Sequence, residues 1–411
     1  MNRRDFLTGG AAAAGLAALA AWEFWPENGF WNTCLPGTPR TLSRHPLAVA
    51  AWDGLDATQV WDCHAHLLGL GDSSSGIYLN PRMLSLASPW HYARRAFFFN
   101  AACAYSNEGN VDFAYVRRLL GLLDGMKRGA KVLLFAFERA YDEAGKRDDA
   151  TTEFHVPDGY AREVAGEHPR SFEWVCSIHP YRADCVQALE TAKRDGARGI
   201  KWLPSAMGID PASGKCDRFY EAAARLKLPL ITHAGQERAV QSTHPELCNP
   251  LKMRRALDAG VRVVVAHCAS MGEDRDLDKG ENGPYVDSFS LFARMMEERK
   301  YEKLLFGDIA ALPQTNRADY LPRLIEREDW QPRLLNGSDY PLPGVMPLFS
   351  TRKLVSMGLL EENVAELLRE IRPHNPLLFD FVLKRHLRSN GKAFAKSVFE
   401  TRAFFEGYQQ G

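Results

Sequence analysis

The stretch "QVWDCHAHLLG", residues 59–69, sets two histidines one residue apart directly behind a short apolar run. With only 12 histidines in 411 residues, the spacing of His64 and His66 raises the question of what the two do together. In an extended chain residues i and i+2 point the same way. If the run is a buried strand, His64 and His66 both aim into the interior of a sheet or barrel, and Cys63 and Ala65 point away. Asp62 shares the parity of the histidines, either as a buried orienting carboxylate or as an acceptor for neighbouring backbone.

Working outward, the same rhythm repeats. Apolar runs end at 59–64, 131–137, 172–179, 197–204, 228–233, 261–268, 303–309 and 333–339, separated by segments at helical spacing such as "DCVQALETAKRDG" and "NPLKMRRALDAG". Short runs without polar alternation belong to strands buried on both faces. Eight of them, alternating with helices, predict a single α/β domain with a (β/α)8 TIM barrel, whose chemistry sits at the carboxyl ends of the strands. An open doubly wound sheet is the alternative, but no G-x-G-x-x-G or P-loop follows the first run. Two long connections, from about residue 69 to 113 and after residue 268, are expected to lie over the barrel mouth.

Lys plus Arg and Asp plus Glu number 51 each, which removes the net positive field expected of a nucleic-acid binder. Eight scattered cysteines with no C-x-x-C argue against a disulfide scaffold, leaving room for one or two bridges in an exported protein. The start, "NRRDFLTGGAAAAGLAALAAW", has an arginine pair before a weakly apolar segment too short to span a bilayer comfortably. It resembles a twin-arginine export signal. The expected partners are therefore that export machinery and a small-molecule substrate, with no nucleic acid and with room for a homo-oligomer. The expected location is periplasmic or exported, tethered to the membrane if the signal is not cleaved at Ala18-Leu19-Ala20. The domain reading is 1–21 signal, 22–50 irregular lead-in, 51–390 barrel and 391–411 peripheral tail.

Polar residues at the strand ends carry the functional reading. The first run ends in His64-x-His66, the fifth at His233, the sixth at His267 and the eighth at Asp339. Imidazoles and a carboxylate converging on one rim are a ligand set for a divalent cation, zinc first among them. His64, His66, His233 and Asp339 are the candidate ligands, and Asp339 and His267 the candidate catalytic residues: Asp339 to take a proton from water, His267 to polarise a substrate carbonyl. Lys201 ends an apolar strand where an ammonium needs a partner. It is read as a substrate-binding residue or, if carboxylated, as a ligand to a second metal. Arg182, Arg238 and Trp202 are candidates for substrate contact. His179 is read as structural, and Cys63 and Cys268 as core thiols.

Taken in order, "DCHAHL", "GIKWLPSAMGID", "LPLITHAG", "VVVAHC", "LLNGSDYP" and "HNPLLFDF" resemble the amidohydrolase superfamily, in its amidohydrolase-related branch, over about residues 55–385. The resemblance implies a metal-dependent barrel hydrolase in which His64, His66, His233 and Asp339 match ligand positions and His267 the strand-six histidine. The expected reaction is attack of activated water on the carbonyl of an amide, ester or lactone. Relatives that decarboxylate carboxylic acids make that the alternative, and a non-catalytic exported binding protein is a third reading. Trp202 departs from the small aliphatic residue followed by His that many relatives carry.

Overall fold

The computed structural model describes residues 26–105 and 109–410, so the expected export signal lies outside the described residues. Eight parallel strands coincide with the eight apolar runs: β1 Trp61–His66, β2 Lys131–Phe135, β3 Phe172–Val175, β4 Ile200–Trp202, β5 Leu230–His233, β6 Val263–Ala266, β7 Leu305–Asp308 and β8 Leu334–Leu335. Each pairs with the next in sequence, β3 joining β4 through a parallel bridge between Cys176 and Ile200. The ring closes where Ala65 bridges Tyr340, and where Cys63 N–H donates to Asn336 O at 3.0 Å and Asp339 N–H to His64 O at 2.7 Å. This is the (β/α)8 barrel that the periodicity predicts.

Two apolar layers hold it. Trp61, Cys63, Leu133, Phe135, Val175, Ile231, Val264, Phe306 and Leu335 fill the barrel axis as one cluster. A larger cluster, including Ala65, Leu134 and Val265, packs the outward strand faces against the helices.

Cys63 thus faces the axis, contrary to the parity expected for it. The reason is a register slip between Asp62 and Ala65 opposite β2. A bulge of this kind resets the alternation of a strand, so Trp61 and Cys63 point inward below it and His64 and His66 reach the mouth above it. Gly337 lets β8 come this close to β1: a Cβ there would sit 2.5 Å from His64 Cβ and 2.9 Å from His64 N.

The connection after β1 is built as a cover. It contains a short strand, Tyr78–Leu79, paired with Phe154–His155 from the β2 loop, and the helix α1, Pro89–Ala101. The connection after β6 forms the hairpin Glu273–Arg275 with Tyr285–Asp287, and of its residues His267, directly behind the strand, lines the central cavity while the hairpin does not.

The described part of the lead-in is ordered by short helices at Arg40–Ser43 and Pro46–Ala50, by a Cys34–Cys103 disulfide, and by Asn32, which exchanges two hydrogen bonds with Asn100 of α1 at 2.7 and 2.9 Å. The tail expected to be peripheral is not so. Helix α2, Arg402–Gln410, inserts Phe404 and Phe405 into the axial cluster, because a barrel core left open at the amino-terminal end of its strands exposes Trp61 and Phe306 to water. No helix among the described residues is long and apolar enough to cross a membrane.

Candidate metal centre at the barrel mouth

His64 leaves β1 fully buried, with Nδ1 2.8 Å from Asp308 Oδ2. Asp308 is the last residue of β7, and its other oxygen accepts from the His267 and Ala310 amides at 2.8 and 3.1 Å. Burial alone would raise this carboxyl, but the adjoining His64 and His267 and the amide bonds hold it well below the usual carboxylate range. An ionised Asp308 accepts a hydrogen bond from Nδ1–H of His64 and so keeps the proton on that nitrogen, which leaves Nε2 with its lone pair facing the mouth.

His267 is fixed in the same way. Its Nδ1 lies 2.9 Å from Ala310 O, a carbonyl that can only accept, so the neutral ring carries its proton there and Nε2 is bare. Burial pushes this imidazole well below its ordinary value, and does the same to His66 and to His233, the latter to about 4. These rings are therefore neutral. His267 in this tautomer fits a cation or a proton, not the donor role toward a carbonyl oxygen expected for it.

Asp339 stands between the rings. Oδ1 lies 3.2 Å from His66 Nε2 and 3.5 Å from His64 Nε2, and Oδ2 lies 3.5 Å from His267 Nε2. Burial would raise its carboxyl; the imidazoles of His64, His267 and His66 outweigh that and hold it low. Both Asp339 and His267 occupy left-handed backbone, at φ of 60° and 55°, a conformation costing non-glycine residues of order 1–3 kcal/mol. Strain at two of the converging residues marks a site whose geometry is imposed by the fold.

His64, His66 and Asp339 form one group of ligand atoms within 4.8 Å of one another, and His64, His267 and Asp308 a second. His233 is set to one side. Its ring centroid is 5.6 Å from that of His267, and neither ring nitrogen makes a hydrogen bond, although Nε2 lies 3.1 Å from Glu237 Oε2. The contact is close without being aligned, so we count His233 as an orphaned, buried imidazole at the rim.

Lys201 is brought in as expected, its Nζ 3.1 Å from His64 Nε2 and 4.9 Å from the centre of the Phe135 ring. Burial pushes the ammonium down, with the Asp339 and Asp308 carboxylates opposing. The other three candidates are not brought in. Arg182 is tied to Glu138 at 2.6 Å and Asp184 at 2.7 Å outside the cavity, and Arg238 is exposed and bonded to Gln236. Trp202, on the outward face of β4, donates to Ile178 O at 2.9 Å and packs on Phe219, so it is core and not a substrate contact. His179 is structural, bonded to Met207 O, and Cys63 and Cys268 are core thiols that burial raises. Asp62 accepts from the amides of His64 and Ser338 at 3.1 and 2.8 Å, the second of the two roles open to it.

Above the polar floor the cavity is apolar, walled by Leu79, Met83, Phe98, Phe99, Phe137 and Phe154. Glu153 and Glu237 also line it. Sequence reading missed Asp308 and Glu237. Asp308 ends an apolar strand, the criterion that found Asp339, and was there to be taken; Glu237 sits in a loop whose inward residue no periodicity identifies.

An eight-stranded parallel barrel with a histidine and carboxylate cluster at the carboxyl ends of its strands is the architecture of a metal-dependent barrel enzyme. A family profile described as Amidohydrolase matches residues 61–363, and the chain belongs to that family. No curated protein matches the chain in sequence. Among solved structures it is similar to an uncharacterised TIM-barrel protein from Bordetella bronchiseptica, at 14% identity and a TM-score of 0.47 over 70% of this chain and 88% of that one. A probable 2-pyrone-4,6-dicarboxylic acid hydrolase from Acinetobacter baumannii is similar at 12% identity and a TM-score of 0.43, over 72% and 90%. A 5-carboxyvanillate decarboxylase from Novosphingobium aromaticivorans, with bound manganese, is similar at 11% identity and a TM-score of 0.43, over 86% and 97%.

Proposed function

We propose that this chain is a metal-dependent hydrolase acting on the carbonyl of a small amide, ester or lactone with an apolar body. One observation carries the reading: His267 Nε2 and Asp339 Oδ2 are both acceptors and face one another at 3.5 Å, beside His64 Nε2, which lies 3.5 Å from Asp339 Oδ1 and 3.1 Å from Lys201 Nζ. Lone pairs so arranged repel unless a cation or proton lies among them. The residues fit a divalent ion, with His64, His66 and Asp339 as the close ligands and His233 as the fourth, its unpartnered nitrogens free to turn toward it. Zinc suits this donor set best.

When bound, such an ion lowers the pKa of water and polarises a carbonyl. The chain supplies the rest. Asp308 keeps the His64 ring in the tautomer that can ligate. Asp339, ionised and within reach, takes the proton of the attacking water and returns it to the leaving group, with the bare Nε2 of His267 as a second acceptor beside it. The phenylalanine walls exclude bulk water and select an aromatic or aliphatic substrate. Lys201 stays an amine in this reading, with one metal; carboxylation by CO2 would make it the bridge to a second.

Decarboxylation is the second reading. Lys201 favours it, as a cation at the cavity floor placed to hold a substrate carboxylate, whereas the expected clamp of Arg182 and Arg238 lies outside the cavity. Export by the twin-arginine route to the periplasm, with cleavage after Ala20, belongs to the same proposal and is checked by the amino terminus of the mature protein.

The test is metal content followed by a substrate panel. The protein is expected to hold about one equivalent of zinc or a similar ion, and His64→Ala to lose metal and activity together. Full metal retention in H64A/H66A rejects the reading. Release of a new acid without CO2 selects the hydrolase, and release of CO2 the decarboxylase.

A further inference from the structure

β8 is a regular strand only over Leu334–Leu335, and its ladder to β7 ends with Ile309 N–H donating to Leu335 O at 2.9 Å. Asp339 comes later, beyond the ladder. Were the parallel pairing continued, the next carbonyl to be satisfied from β7 would be that of Gly337, by the amide of Ala311. By then β7 has ended, with Ala311 in left-handed backbone at φ 54°. Lys384 supplies the donor instead. From the helix Pro376–His386 its Nζ reaches Gly337 O at 2.6 Å and Asp380 Oδ2 at 2.7 Å.

The other end of the same peptide unit is also held. Ser338 N–H donates to Asp62 Oδ1 at 2.8 Å, and that oxygen accepts from His64 N–H at 3.1 Å as well. The Gly337–Ser338 peptide therefore has an ammonium at its carbonyl and a carboxylate at its N–H, the order that the peptide dipole favours. Asp339 follows it directly. Its left-handed backbone persists only where the surroundings fix it, and its N–H is on His64 O at 2.7 Å. One ammonium and one carboxylate thus join the segments that carry His64 and Asp339. Stability is a poor account of the arrangement. Lys384 and Asp380 are 0% and 1% exposed, and a buried ion pair gains little over apolar side chains once desolvation is counted. Asp380 Oδ1 is moreover buried without a hydrogen-bond partner, so the carboxylate is only half used.

We propose that Lys384 is a positioning residue for the metal centre: with Asp62 it clamps the Gly337–Ser338 peptide and so sets where the Asp339 carboxylate stands relative to His64 and His66, a role that rests on those three being ligands. Asp380 balances its charge. Metal-free full-length protein is titrated with Co2+ as wild type, Asp380→Asn and Lys384→Met/Asp380→Asn, and both the affinity and the visible absorption of the bound ion are read. Near-ultraviolet circular dichroism checks folding. Asp380→Asn leaves Lys384 on Gly337 O and is expected to bind as the wild type does, with the same spectrum. The double variant is expected to bind about tenfold more weakly or worse, with altered visible bands, because Asp339 is no longer held in place. A merely structural role would lower the urea midpoint and leave the affinity and spectrum of the folded protein unchanged. Should the double variant not fold, Asp62→Asn, which keeps an acceptor oxygen without its charge, carries the test with the same expected change. Wild type that takes up no Co2+ overturns the metal reading and the clamp with it. Co2+ bound by the wild type, and equally and with the same spectrum by the double variant or its replacement, overturns the clamp alone. So does Asp380→Asn as weak as the double variant, since the donor on Gly337 is then not what matters.

Discussion

Asp308 Oδ2 lies 2.8 Å from His64 Nδ1, with neither side chain in contact with solvent. A carboxylate behind a histidine sets which nitrogen is protonated, and so which can ligate. Asp308→Asn keeps an oxygen for the His267 and Ala310 amides but weakens the hold on the His64 proton. Metal affinity is expected to fall roughly 10–100-fold, the usual cost of losing such a partner. Retention of metal during dialysis against graded chelator measures it, and wild-type retention removes Asp308 from the site.

Gly337 makes a comparable prediction from backbone alone. A methyl group there would stand 2.5 Å from His64 Cβ, well inside contact distance. Gly337→Ala is expected to push β8 from β1, separating His64 from Asp339, and to lower both metal retention and stability, the latter by about 1–3 kcal/mol. Urea unfolding with and without chelator separates the two effects. If neither changes, the closure is looser than described.

How far the sequence disclosed this arrangement depended on whether a regular repeat governed the residue. The eight strands are continuous apolar runs, and the residues ending them, His64, His66, His233, His267 and Asp339, follow from the rule that chemistry in a barrel gathers there. Cys63 escaped because one bulge inverted a parity that extended geometry alone predicts. Glu237 and Arg238 are neighbours in a loop, where nothing periodic decides which enters the cavity; the glutamate lines it and the arginine, a candidate for substrate contact, is exposed. Phe404 and Phe405 lie about 340 residues from the Trp61 they cover, and contacts that distant leave no local trace.

His179 allows a test of pH dependence away from the metal site. Burial holds its imidazole at about 3, against 6.5 when exposed. Above pH 6.5 both folded and unfolded chains are neutral here, and the residue costs nothing. As pH falls below 6.5 the unfolded chain takes up a proton that the folded one refuses, so stability declines toward pH 3 by about 1.4 kcal/mol per unit. Asp158 and Asp380, raised by burial to about 7, act in the opposite sense across part of this window. The comparison is therefore between wild type and His179→Gln, which can still donate to Met207 O. The variant is expected to show a slope smaller by about one proton between pH 6 and 4 in denaturant titrations. Identical slopes would mean that His179 is protonated in the folded state.

The Cys34–Cys103 disulfide ties the lead-in to the chain just past α1, across a sequence separation of 69 residues. A cross-link of that span removes conformational freedom from the unfolded chain, and its loss typically costs about 2–4 kcal/mol. Its placement adds a local effect. Trp31 and Asn32 hold α1 from outside, and with the bridge gone the helix is kept in place by those contacts, by the Arg94–Glu153 ion pair at 2.7 Å and by its packing on the cavity wall. Cys34→Ser with Cys103→Ser is expected to lower the urea midpoint and to speed hydrogen exchange in α1 well before it does so in β5 and β6, which the bridge does not touch. If exchange accelerates evenly through the barrel, the bridge stabilises the whole domain and does not specifically restrain the cover.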